Sequence, residues 1–217
     1  VWLRPDLIAV LVMLFLLGTF GFNFAIFIST MSVTVFHGDA SQYGLLTSSM
    51  AAGTMCGALL SARRELPGMV LMGGAAAAFG LTLALAAVMP GPLLFAGVLF
   101  FVGVAALTFM TASNSMMQLT TERGMRGRVL ALRIAVVMGG TPIGAPLVGW
   151  VVDHFGARWA LGVGALAGVA AAAVAVTYLV RHRHLRLLRS GGRLRLAIHP
   201  EPADVTAVRV AAGERVT

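Results

Sequence analysis

Residues 93–119 read LLFAGVLFFVGVAALTFMTASNSMMQL, a run without one charged side chain. A helix rises about 1.5 Å per residue and the hydrocarbon core of a bilayer is about 30 Å thick, so roughly 20 apolar residues suffice to cross it. This run exceeds that length. It is also twice as long as a barrel strand and does not alternate with period two, so it reads as a transmembrane helix. Working outward, five more runs meet the same test: Leu7 to Thr30, Tyr43 to Ala62, Gly68 to Met89, Val129 to Val152 and Ala157 to Val180. The expected fold is therefore an all-α membrane protein with six transmembrane helices over residues 1–180. Residues 181–217, basic and without apolar periodicity, are expected to be a disordered cytoplasmic tail.

Composition agrees with this. Of 217 residues, 59% are hydrophobic and 11% charged, far more apolar than a soluble domain. All 16 basic residues are arginine, and the net charge is +8. A nucleic-acid binder would gather such charge into one basic surface with interleaved aromatics, whereas here it falls in short clusters between apolar runs. No nucleic-acid partner is expected. Cys56 is the single cysteine, so no intrachain disulfide can form. The first apolar run is too long for a cleavable signal peptide, and the opening on Val1 leads to the expectation of further residues upstream.

The breaks between runs carry cap and turn chemistry. Asp39 or Ser41 suits the start of the second helix, Pro67-Gly68 opens the third, and Pro90-Gly91-Pro92 separates the third from the fourth. Such short connections make neighbouring helices antiparallel. With the N-terminus inside, Arg4, Arg63, Arg64, Arg123, Arg126, Arg128, Arg181, Arg183, Arg186, Arg189, Arg193 and Arg195 are cytoplasmic, and only Arg158 faces out. This asymmetry places both termini on the cytoplasmic side of the cell membrane.

The ends of the second and fifth runs resemble one another. The second closes Gly57-Ala-Leu-Leu-Ser61-Ala-Arg63-Arg64, and the fifth closes Gly149-Trp-Val-Val-Asp153-His-Phe-Gly156-Ala-Arg158. Each joins the second and third helix of its triplet, on opposite membrane faces, which is the expectation for a 3+3 inverted repeat. Further marks are Ser41-Gln-Tyr-Gly44-Leu-Leu ahead of Gly53 and Gly57, and Arg126-Gly127-Arg128-Val129 followed by Gly139-Gly140-Thr141-Pro142-Ile-Gly144.

On these residues the chain resembles the C-terminal half, helices seven to twelve, of a major facilitator superfamily transporter, within the bacterial drug and siderophore branch related to enterobactin exporters. The resemblance covers about residues 5–180. The superfamily's signature loop is Gly-x-x-x-Asp-Arg-x-Gly-Arg-Arg; the copy at Gly57 has Ser61 in place of the acid, and the copy at Gly149 keeps Asp153, Gly156 and Arg158. The resemblance implies that Gly57, Arg63, Arg64, Gly149, Asp153 and Arg158 form conformational loops that latch helix ends. The loss of the acid at Ser61 puts an ion-pair latch there in doubt.

Polar groups inside a span are costly unless paired or facing water, so they are the default site candidates. Thr19 and Asn23 in the first run, Thr111 and Asn114 in the fourth and Thr141 in the fifth are the expected substrate contacts. Helix-to-helix hydrogen bonding explains several of them equally well. Pro142 and Pro146 each remove a backbone donor and are the expected hinge. Arg133 lies about a turn inside the fifth run and is read as snorkelling to the interface. Paired small residues, Gly53 with Gly57, Gly140 with Gly144 and Gly164 with Gly168, read as close helix packing. No acid or histidine falls in the middle of any run, so a proton-coupling carboxylate is expected on a missing partner half.

The leading functional expectation is part of a secondary active exporter of small amphipathic or hydrophobic compounds, working by alternating access, with the bilayer, the substrate and a missing N-terminal half or a second copy as partners. A truncated or non-transporting six-span scaffold is the alternative. A six-span half of an ATP-driven exporter would need Gly-x-x-x-x-Gly-Lys-[Ser/Thr], which a chain without lysine cannot contain. An intramembrane enzyme would need a nucleophile elbow, a His-Glu-x-x-His or an acid pair, and none is present. No enzyme activity, metal or cofactor is expected.

Overall fold

The computed structural model describes residues 5–62, 68–121, 123–182, 186–190 and 193–197. Six helical spans long and apolar enough to cross a membrane follow one another: Pro5–Val35, Ala40–Ser61, Met69–Ala87, Pro92–Thr120, Arg126–Phe155 and Ala157–Arg181. The first span comprises helices α1 (Pro5–Leu16) and α2 (Phe24–Thr30), with π-helical turns at Leu17–Gly21 and Met31–Val35. The others are α3 (Ala40–Ala62), α4 (Met69–Ala87), α5 (Pro92–Thr120), α6 (Arg126–Phe155) and α7 (Ala157–His182).

Local chemistry sets these boundaries. Asp39 Oδ1 accepts from the Gln42 backbone N–H at 3.0 Å, so Asp39 rather than Ser41 caps α3. Pro92 opens α5 at a position where its missing N–H has no partner to lose, with Gly91 extended before it. Gly156 ends α6 at φ +93°, a conformation costly for a side-chain-bearing residue, and its N–H reaches the Val152 carbonyl at 2.9 Å. α7 begins at the next residue.

The bundle of residues 1–176 is organised by three crossings in which glycines bring backbones together. In the first span, Gly18 faces the Val137 backbone, and Gly140 and Gly144 of α6 face Thr19. α3 meets α5 along Ser49, Gly53, Gly57 and Ser61, each four residues apart. There Ser49 Oγ donates to the Ala96 carbonyl at 2.7 Å, Gly53 abuts the Phe100 carbonyl and Gly57 faces Val104. α4 meets α7 at Gly80 against Gly168 and at Leu83 against Gly164. In hydrocarbon there is no hydrophobic force between helices, so close van der Waals packing of small residues holds such crossings. Phe27, Phe79, Phe95 and Phe109 fill the core and are fully buried.

The structure adds two features to the sequence reading. Within the segment expected to be disordered, Arg186–Ser190 pairs antiparallel with Arg193–Ala197, so that Ser190 lies opposite Arg193. The sequence carried only part of this pattern, the Arg193-Leu-Arg-Leu196 alternation that follows Gly191-Gly192. The second feature concerns the prolines. Pro142 and Pro146 lie inside one uninterrupted helix, α6, while the helical ladder of the first span is interrupted at residues 17–23, a stretch without proline.

Candidate functional site

The interruption in the first span is built by residues 17–23, Leu-Gly-Thr-Phe-Gly-Phe-Asn. Two glycines weaken the helix there, and an asparagine offers the backbone an alternative partner. Asn23 leaves helical geometry at φ −86°, ψ 45°, and its Nδ2 donates to the Thr19 carbonyl at 2.7 Å. Phe22 N–H closes the π-turn on the Leu17 carbonyl at 2.8 Å. The break is clamped from two sides. Phe79 of α4 meets Phe22 edge-on at 5.7 Å and Phe24 at 6.1 Å, and α6 presses Gly140 and Gly144 against Thr19.

Thr19 and Asn23, 1% and 4% exposed, are therefore turned into the bundle, and the Asn23 amide completes the break's own backbone bonding. The Thr19 hydroxyl is buried with no hydrogen-bond partner and packs against Gly140. Thr141, Pro142 and Pro146 lie on the opposite, exposed face of α6. The five expected substrate contacts are not gathered into one wall.

The fourth-span candidates divide between two neighbours. Thr111 turns to α3 and its Oγ1 donates to Ser61 Oγ at 3.0 Å. Asn114 is half-buried. Ser113, fully buried, turns to α6, where it meets Arg133. Arg133 does not snorkel outward. Its Nη2 donates to the Met110 carbonyl at 3.1 Å and lies 3.4 Å from Ser113 Oγ and 3.8 Å from Met110 Sδ, while its Nε is buried without an acceptor. Among the described residues no carboxylate pairs with it. Hydropathy flagged the charge, but the rotation of α6 that aims it at α5 is a tertiary property.

Of the loop residues, Arg63 and Arg64 lie outside the described residues. Gly57 is buried in the α3–α5 crossing. Gly149 and Asp153 lie on the last turns of α6, Asp153 exposed. Arg158 reaches across from α7 to the end of α4, donating from Nη1 to the Ala87 carbonyl at 3.2 Å and from Nη2 to the Met89 carbonyl at 3.3 Å. These carbonyls have no partner within their helix, and a cation at a helix C-terminus also complements the helix dipole.

Among solved structures, the chain is similar to crystal structures of a mutant peptide transporter, POT. With the form in complex with alafosfalin the TM-score is 0.60 at 13% identity, over 96% of this chain and 44% of that one. With the form in complex with sulfate it is 0.61 at 14% identity, with the same coverage. The chain thus spans less than half the length of the transporters it matches. At this identity the likeness establishes fold alone. No match is found among curated proteins. The sequence pattern of the Major Facilitator Superfamily matches residues 9–213, nearly the whole chain. Six apolar helices in this arrangement, with that match, make the chain an integral membrane protein belonging to the Major Facilitator Superfamily.

Proposed function

We propose that this chain is the C-terminal six-helix half of a secondary active transporter that exports small amphipathic compounds by alternating access, resembling the bacterial drug and siderophore exporters. The carrying observation is the unequal burial of the spans. In α3 and α6, 17% and 22% of the apolar window is buried, against 39 to 56% in the other four. Their exposed faces mix large apolar side chains, such as Met55 and Leu59 on α3 and Met138 and Ile143 on α6, with small or polar residues. α3 turns out Gly44, Ser48, Ala51 and Ala58, and α6 turns out Ala131, Ala135, Gly139, Thr141, Pro142 and Pro146. Small residues of this kind suit helix packing better than lipid contact. Pro142 and Pro146 supply no N–H to the carbonyls of Met138 and Pro142, acceptors that lipid cannot satisfy and that a protein partner or water-filled cleft can. A second six-helix unit against this face fits both facts.

The crossings support an inverted repeat. Exchanging spans one and four, two and five, three and six maps the α6 crossing of the first span onto the α3–α5 crossing. It also maps the α4–α7 crossing onto itself. A transporter half built this way has its cleft at the repeat and half-to-half interfaces. We place both termini in the cytoplasm on the arginine distribution. The alternative of a non-transporting scaffold predicts no flux.

The test is flux of a fluorescent amphipathic dye in vesicles of both orientations, prepared with this chain alone and with a six-span N-terminal half supplied in trans. Dye uptake into inside-out vesicles that requires both halves supports the proposal. Stable monomers that give no flux in either combination overturn it.

A further inference from the structure

We infer that Arg133, with Ser113 and the Met110 carbonyl, is an anion-recognition site, and that the compound this protein handles carries a carboxylate or similar oxyanion on an apolar body. This deepens the transporter reading and rests on it. A full positive charge within a span is retained when it has a partner, yet among the described residues no carboxylate faces Arg133. What surrounds it is neutral: the Met110 carbonyl at 3.1 Å, Ser113 Oγ at 3.4 Å and Met110 Sδ at 3.8 Å.

Those contacts orient the group without neutralising it. They all fall on Nη2, and they pin the guanidinium plane to α5. Nε, on the same edge of the guanidinium as Nη2, is buried and donates to nothing. An arginine presents this edge to both oxygens of a carboxylate in a bidentate fork. Here both N–H groups of Nη2 are committed to α5, so the Nε N–H is the donor on this edge left for one oxygen of an oxyanion. Ser113, with no exposed surface, already donates to the Met110 carbonyl at 2.8 Å, so its hydroxyl lone pairs face the guanidinium and fix its position.

Arg133 stands seven residues into α6, about 10 Å from the helix start. Met110 stands ten residues, about 15 Å, from the C-terminal end of α5. The site is thus near the membrane face that the arginine distribution assigns to the cytoplasm. An oxyanion entering from that side reaches the guanidinium head first, with its apolar body toward the spans. A resident carboxylate would compete with it, whereas neutral neighbours let the anion both bind and leave.

The test uses purified full-length protein in nanodiscs with a matched pair of probes, dansylglycine and its neutral amide, with binding to empty nanodiscs subtracted. The expected result is at least tenfold tighter binding of the acid than of the amide. R133Q should bring the ratio close to one while amide binding persists. R133K, which keeps charge but loses the Nε donor, should fall between. Because each protein is its own control, the ratio does not depend on the fraction folded. If R133Q binds neither probe, R133K decides: a retained preference for the acid supports the site, and its loss with amide binding intact overturns it. Equal binding of both probes to the unaltered protein overturns the anion site while leaving the transporter reading in place, and this is also the outcome if Arg133 serves a carboxylate of another subunit. A preference for the acid that R133Q leaves unchanged overturns the assignment to Arg133. No binding of either probe to the unaltered protein defeats both this inference and the reading it rests on.

Discussion

Gly144 is the tightest point of the bundle and allows a sharp prediction. A methyl group there would overlap the Thr19 carbonyl oxygen, with the carbonyl carbon at 2.5 Å and Thr19 Cα at 3.1 Å. Ordinary carbon–carbon contact is about 3.5–4.0 Å, so G144A must part α6 from the first span by about 1 Å or more. The obstacle is backbone, which has no rotamer to turn away. Overpacking costs about 1–3 kcal/mol, and this case belongs at about 3. At about 2–4 °C per kcal/mol for a chain of this size, the expected loss is about 6–12 °C in melting temperature. The control sits five residues away on the same helix. Nothing lies within 4 Å of a methyl on Gly139, so G139A should move the melting temperature by less than about 4 °C, with helix propensity favouring alanine. Both are read by tryptophan fluorescence on purified protein in one detergent. Equal shifts for G139A and G144A would refute the backbone-on-backbone crossing.

Three further outcomes follow from the same contacts. N23A removes the 2.7 Å bond to the Thr19 carbonyl and should cost about 1 kcal/mol in the same melting assay; an unchanged or raised melting temperature would show that the bond does not hold the break. R158Q leaves the Ala87 and Met89 carbonyls without their cap, so the end of α4 should fray by no more than about 1 kcal/mol, seen as faster hydrogen exchange at the Val88 and Met89 amides with the rest of the bundle unchanged. In a C56A background, an impermeant maleimide added outside intact cells should label P90C and spare G124C until the membrane is permeabilised, and the reverse pattern would invert the topology argued from the arginines.

The spans were legible in the sequence because hydropathy depends on composition and length alone. The Asp39 cap was legible too, since its partner is three residues away. The small-residue pairs at Gly53, Gly140 and Gly168 announced close approach but not to what. That Gly144 meets Thr19, more than a hundred residues away, depends on how the helices are rotated, and residues of similar hydropathy do not record rotation. The same gap explains Arg133, placed correctly along the chain yet read as facing outward when it faces α5. The break at Asn23 escaped because prolines drew attention to α6, which stays one continuous helix although Pro142 and Pro146 leave two carbonyls without N–H partners. Two glycines and a side-chain amide have the opposite effect: they leave the helix weak and give its carbonyl a substitute donor. In the tail, charge density suggested disorder, and only residues 193–196 alternate with period two, so the pairing of Leu187 with Leu196 was not legible.

The α3–α5 crossing and the crossing of the first span with α6 differ in chemistry although both rely on glycine. Between α3 and α5, hydroxyls stitch the helices: Ser49 to the Ala96 carbonyl at 2.7 Å and Thr111 to Ser61 at 3.0 Å, each worth roughly 0.6 kcal/mol in a bilayer. Between the first span and α6 no such stitch exists among the described residues. The Thr19 hydroxyl has no partner there, and Asn23 bonds within its own span. Separating α3 from α5 must therefore break hydrogen bonds that hydrocarbon cannot replace. Separating the first span from α6 forfeits only contact, and the Asn23 bond travels with the first span. The crossing without hydrogen-bond stitches thus lies beside the interruption at residues 17–23 of the first span. Glycine and asparagine interrupt the helix in the first span, whereas Pro142 and Pro146 lie within a continuous helix on its exposed face.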